Sequence, residues 1–105
     1  RMTKYEIMGA KGVEKYLVKL GKRNPRDAAL IIETIKSCLG EHLFDRIQQC
    51  DKKKMKGERY LHRLHVQRGY TVFYRVVKTK EKTFVGVDLI VTFTKAHQMY
   101  PHLDL

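Results

Sequence analysis

Residues 60–93 constrain this chain more than any other stretch. They hold three runs suited to a pleated sheet, at 60–66, 70–77 and 84–93, each rich in Val, Tyr, Phe, Ile or Thr. Gln67-Arg68-Gly69 separates the first two, a connection too short for a crossover, so they pair antiparallel. A polar turn at 78–83 leads into the third. Period two sorts the faces. Tyr70, Val72, Tyr74 and Val76 share one side of the middle strand; Thr71, Phe73, Arg75 and Val77 share the other. In the last strand Val85, Val87, Leu89, Val91 and Phe93 predict an unbroken apolar face, with Phe84, Gly86, Asp88, Ile90, Thr92 and Thr94 opposite. One face therefore needs a cover. The other mixes apolar and cationic groups, and function on this sheet is expected there.

The cover is expected from the N-terminal half. Residues 3–8 read as a short strand, with Tyr5 and Ile7 on one side. Residues 11–20 read as a helix, with Val13, Tyr16, Leu17 and Leu20 at helical spacing and Gly21 at its C-terminal end. The next helix has the clearest start in the chain: Asn24 as N-cap, Pro25 at the first helical position and Asp27 near the positive end of the dipole. Its apolar stripe is Ala28, Ile31, Ile32, Ile35 and Leu39, with Cys38 beside it and Gly40 as a stop. Residues 41–49 carry Leu43, Phe44 and Ile47 and read as a further short helix or a kinked continuation. Residues 51–58 are polar and basic, and a surface loop is expected. Pro101 argues against strand in the tail. The fold class is α+β in two layers: an antiparallel-rich twisted sheet with two N-terminal helices on one face. The 105 residues suffice for one domain, 1–105. No run approaches the roughly 20 apolar residues of a membrane span, and no apolar leader follows Met2. A cytoplasmic protein with no membrane partner is expected. Cys38 and Cys50 fit no metal motif, and both are expected as free thiols.

Charge points to the partner. Lys and Arg number 22 against 11 acidic residues, a net charge of +11. Half of the basic residues fall within 52–82. Such a field attracts polyanions (nucleic acid, an anionic membrane or an acidic protein), against a Lys-rich solvated surface that serves solubility. Sharp catalytic motifs are missing: no glycine-rich phosphate loop, no dinucleotide fingerprint, no zinc helix. His62 and His65 lack Cys partners at metal spacing, and Asp88 is the lone acid of its strand. A cationic, aromatic, histidine-bearing surface still has a chemistry on RNA. The 2′-hydroxyl is a built-in nucleophile; cleavage needs a base, an acid and cations on the phosphorane, and no cofactor. Lys54 and Lys56 are candidates for holding phosphate or tuning the leaving group, against an ordinary charged loop. Arg63 is a candidate phosphate clamp, against a solvent-facing strand charge. Arg75 points into a substrate groove or pairs with Asp88 or Glu81. His97 is a candidate acid or base, and Tyr100 a stacking platform, against surface and packing roles.

The order strand, helix, helix, basic loop and three strands resembles the RelE/ParE superfamily of small toxins from toxin–antitoxin operons. The likeness covers nearly the whole chain. It rests on Lys54-Met55-Lys56-Gly57, on Tyr60-Leu61-His62-Arg63-Leu64-His65-Val66, on Gly69-Tyr70-Thr71-Val72-Phe73-Tyr74-Arg75-Val76, and on the ending Phe93-Thr94-Lys95-Ala96-His97-Gln98-Met99-Tyr100. The ending is similar to the HigB branch as well. The resemblance implies a metal-independent endoribonuclease acting on mRNA, often at the ribosome, and neutralised by a cognate antitoxin protein. ParE-like members poison DNA gyrase instead. Lys54 and Lys56 fall at the family's loop lysines, Arg63 near its first strand arginine and His65 in place of the second. His97 and Tyr100 fall with the C-terminal catalytic group. Where many active members carry arginine after Gly-x-Tyr, this chain has Thr71, which brings no charge; Arg75 lies roughly 13 Å further along that face. That departure leaves a non-catalytic binding relative as the alternative.

Overall fold

The computed structural model describes residues 4–55 and 61–99. Among them five strands form one mixed sheet in the order β1-β5-β4-β3-β2. The strands are β1 (Glu6–Gly9), β2 (Asp51–Lys54), β3 (His62–Val66), β4 (Tyr70–Lys78) and β5 (Thr83–Thr92). Only β1 runs parallel to its neighbour, β5; the other pairings are antiparallel. Two helices, α1 (Lys11–Arg23) and α2 (Pro25–Ile35), cover one face, and a short α3 (Phe93–Met99) lies on the other. The fold is thus mixed α+β.

The start of α2 forms as its residues dictate. The Asn24 side chain accepts from the Asp27 N–H at 3.2 Å, and Pro25 opens the helix. α1 does not stop at Gly21. Because Asn24 begins the next helix at once, one non-helical residue suffices, and α1 continues to Arg23. Asp27 is also buried. It accepts from the Tyr70 hydroxyl at 2.6 Å and from Arg68 Nε at 2.5 Å, tying the head of α2 to the β3–β4 turn. Arg68 there has φ of 73°, unusual for a residue with a Cβ, and Gly69 follows at 99°.

After α2 the chain widens into a π-helical turn, Lys36–Glu41, and then leaves helical geometry. Gly40 lies inside that turn, and residues 42–50 are not the further helix that their spacing suggests. Two long-range contacts hold them otherwise. Cys38 and Cys50 form a disulfide with Cα atoms 5.6 Å apart, so neither is the free thiol expected from the sequence. Lys52 Nζ donates to the carbonyls of Cys38 at 3.1 Å, of Leu43 at 3.0 Å, and of His42. Asp51–Lys54, expected as loop, is an edge strand. Its charged residues suit an edge, where one side of the ladder stays open.

The last strand departs from simple alternation. Phe73 pairs with Leu89 but Tyr74 pairs with Val87, which leaves Asp88 as the extra residue of a β-bulge. The bulge flips the side-chain parity. Val85, Val87 and Ile90 therefore join the main core, with Ile31, Leu39, Leu64, Val66 and Val72 beneath the helices. Val91 and Leu89 turn to the opposite face, where they meet Phe73, Met55 and Ala96. Phe93 is not the end of the strand but the first residue of α3. The expected unbroken apolar face is split into two cores, and α3 covers the second.

Candidate functional site

Alternation on β3 sends Leu64 and Val66 into the main core and Arg63 and His65 to the other face. Register then brings partners. Asp51 of β2 sits opposite His65, and Thr71 of β4 flanks it on the other side. The Asp51 carboxylate bridges two groups: Oδ2 is 3.1 Å from His65 Nδ1 and Oδ1 is 3.6 Å from Arg63 Nη1. A carboxylate only accepts, so Nδ1 of His65 carries the hydrogen and the neutral ring keeps its lone pair at Nε2. The ring lies against Phe93, centroids 4.9 Å apart. Burial, first, and the nearby Arg63 charge hold the His65 pKa below 6.5, against the opposing pull of Asp51; charge on His97 acts in the same direction as Arg63. His65 is thus a neutral, oriented imidazole at pH 7. His97, on the exposed face of α3, stands close enough to feel it.

Two polar atoms in this neighbourhood are buried without a hydrogen bond among the described residues: Arg63 Nη1 and Thr71 Oγ1. Arg63 is a largely covered guanidinium whose Nη1 faces the Asp51 carboxylate beyond hydrogen-bond range. Thr71 is fully buried and presents nothing to a ligand.

The other expected site residues divide. Lys54 pairs in register with His62, on the helix-covered face, so it is not beside Arg63. Arg75 does lie on the open face, but its Nε and Nη2 donate to the Asp88 carboxylate at 2.8 and 3.0 Å. That pair holds Arg75 charged and turns it toward the bulge, not toward His65. Lys56 and Tyr100 fall outside the described residues. Asp51 and Phe93 were not expected at a site. Period two could have joined Arg63 with His65, but Asp51 needed the β2–β3 pairing, and β2 carries no strand signal of its own. Among the described residues, no group of three or more His, Cys, Asp or Glu is placed to hold a metal ion, and no helix is long and apolar enough to cross a membrane.

On one face, then, stand an oriented neutral imidazole, a guanidinium beside the Asp51 carboxylate, a second histidine and an aromatic ring. Together they can move a proton, bind an anion and stack on a planar group. No protein-family model, no curated protein and no solved structure matches the chain.

Proposed function

We propose that this chain is a RelE-like endoribonuclease that cuts mRNA, at the ribosome, and is neutralised by a cognate antitoxin. The observation that carries the reading is Asp51 holding His65 beside Arg63 and within the field of His97. The order β1-α1-α2-β2-β3-β4-β5 and the charge of +11 support it. His65 Nε2 takes the proton of the 2′-hydroxyl. The freed oxygen attacks the adjacent phosphorus, and Arg63 neutralises the phosphorane. His97 is the candidate acid that gives a proton to the departing 5′-oxygen. The products are a 2′,3′-cyclic phosphate and a 5′-hydroxyl, so atoms and charge balance within RNA and two imidazoles. Phe93 supplies a ring for a base. Lys56 and Tyr100 remain candidates for phosphate contact and stacking. The reading places the protein in the cytoplasm, where a reducing thiol pool acts on the Cys38–Cys50 bond.

A second reading is a non-catalytic relative that binds nucleic acid, or a ParE-like inhibitor of DNA gyrase. The uncharged Thr71 and the commitment of Arg75 to Asp88 favour it, since neither position gives the site a cation. A translation reaction on a defined mRNA separates the two, with 5′ ends read by primer extension and EDTA-treated free RNA alongside. Codon-phased new ends that need ribosomes support the nuclease. Intact mRNA with undiminished translation overturns it.

A further inference from the structure

His62 and Arg63 are neighbours on β3 that point to opposite faces, which leaves His62 on the helix-covered side of the sheet. There lies a second cleft. A cavity of about 480 Å³ is lined by Phe44, His62, Val76 and Lys78. His62 stacks on Tyr74, centroids 5.1 Å apart and planes 19° from parallel, which fixes its ring as a floor. Phe44 forms a wall. It is 57% exposed and touches Tyr5 edge-on at 5.6 Å. Lys78 Nζ is 5.4 Å from the Phe44 centroid. Lys54 pairs in register with His62 and its charge, with that of Lys52, reaches the His62 ring. An apolar slot between two rings, with ammonium groups at its rim, matches one chemistry: a planar base carrying a phosphate.

We propose that the cleft of Phe44, His62, Val76 and Lys78 binds one unpaired nucleotide of RNA, its base between Phe44 and the His62–Val76 floor and its phosphate on Lys78 and Lys54. This assigns Lys54 to nucleotide binding away from the cleavage chemistry. It rests on the reading that the chain handles RNA.

The test uses 5′-AMP and a 2′-O-methyl decanucleotide, which cannot supply the attacking hydroxyl. Amide and side-chain NMR shifts are followed on titration with AMP. Shifts centred on Phe44, His62 and Lys78 are expected; shifts confined to His65 and His97, or none, overturn the proposal. Anisotropy with the labelled decanucleotide gives affinity. Phe44→Ala should weaken binding about 5- to 150-fold, the range of one base–aromatic stack. Lys78→Gln, exposed and safe for folding, should lower the salt slope by about 0.7. Folded variants of both kinds with wild-type affinity and slope overturn it. Equal binding of poly-glutamate, insensitive to Phe44→Ala, overturns it in favour of an acidic peptide. Failure of the underlying reading looks different: wild type then neither binds the decanucleotide nor cuts mRNA, whereas wild type that does both beside an indifferent Phe44→Ala sinks the cleft alone.

Discussion

Reduction of the Cys38–Cys50 bond should cost this protein a large share of its stability. The bond closes a loop of sequence separation 12. A cross-link of that span removes about 9.5 cal/mol/K of chain entropy from the unfolded state, about 3 kcal/mol at 25 °C. Both residues sit in the core, Cys38 at 1% and Cys50 at 9% exposure, so two thiols pushed from bonding to van der Waals separation there add to the loss and do not offset it. Against a total of about 5–15 kcal/mol for a domain, this is a severe loss. Urea unfolding with and without a phosphine reductant measures it. The reduced protein should lose about 3 kcal/mol, and its m-value should rise, since a longer free chain exposes more surface. A difference below about 0.5 kcal/mol would refute the entropic reasoning, and so would a loss with no rise in m. Cys50 adjoins Asp51, so the same experiment on the RNA assay asks whether the loop positions the site. Reduced and oxidised protein of equal activity would show that β2 pairing alone holds Asp51.

His65→Ala should lower RNA cleavage about 10²- to 10⁴-fold with little change in melting temperature; equal loss of fold and activity would remove His65 from the chemistry. The rising limb of kcat/KM should lie below pH 6.5, and Asp51→Asn, which removes the carboxylate that pulls that imidazole upward, should move the limb lower still; an upward move would contradict the assignment. Tyr70 and Tyr74 are both pushed up to about 12, Tyr70 chiefly by its hydrogen bond to Asp27 and Tyr74 by burial. Their hydroxyls are protonated in the fold, so this stability is complete below about pH 10, the unfolded value, and is lost as pH rises toward 12; Tyr70→Phe should blunt that alkaline transition. The Asp27 carboxyl is held low, first by Tyr70, so its contribution is present above the unfolded pKa and fades as pH falls through the folded one, which acid titration of wild type against Asp27→Asn reads directly. Leu64→Ala, at a fully buried strand position, should cost about 2–5 kcal/mol in urea unfolding.

Local signals in the sequence determined local structure. Asn24, Pro25 and Asp27 start α2 because a cap, a fixed φ and a charge at the dipole act within one turn. The β3–β4 pair follows from three intervening residues and two runs of β-formers. The same alternation, applied to β3, could have joined Arg63 with His65, and the net charge pointed to a polyanion. The rest depended on residues far apart in the chain. β2 is a strand because β3 offers it an edge, not because Asp51-Lys52-Lys53-Lys54 favours one. The bulge at Asp88 arises where two strands of unequal count must stay in register, and Arg75 closes on that acid. It alone moves Leu89 and Val91 to the second core and gives α3 something to cover. Cys38 meets Cys50 only once the π-helical turn has redirected the chain. Lys54 and Arg63 look like one cationic cluster in sequence. Pairing separates them, because neighbouring strands share faces by register and not by proximity along the chain. Composition could say that cations meet an anion. Only strand pairing could decide which acid stands beside which histidine.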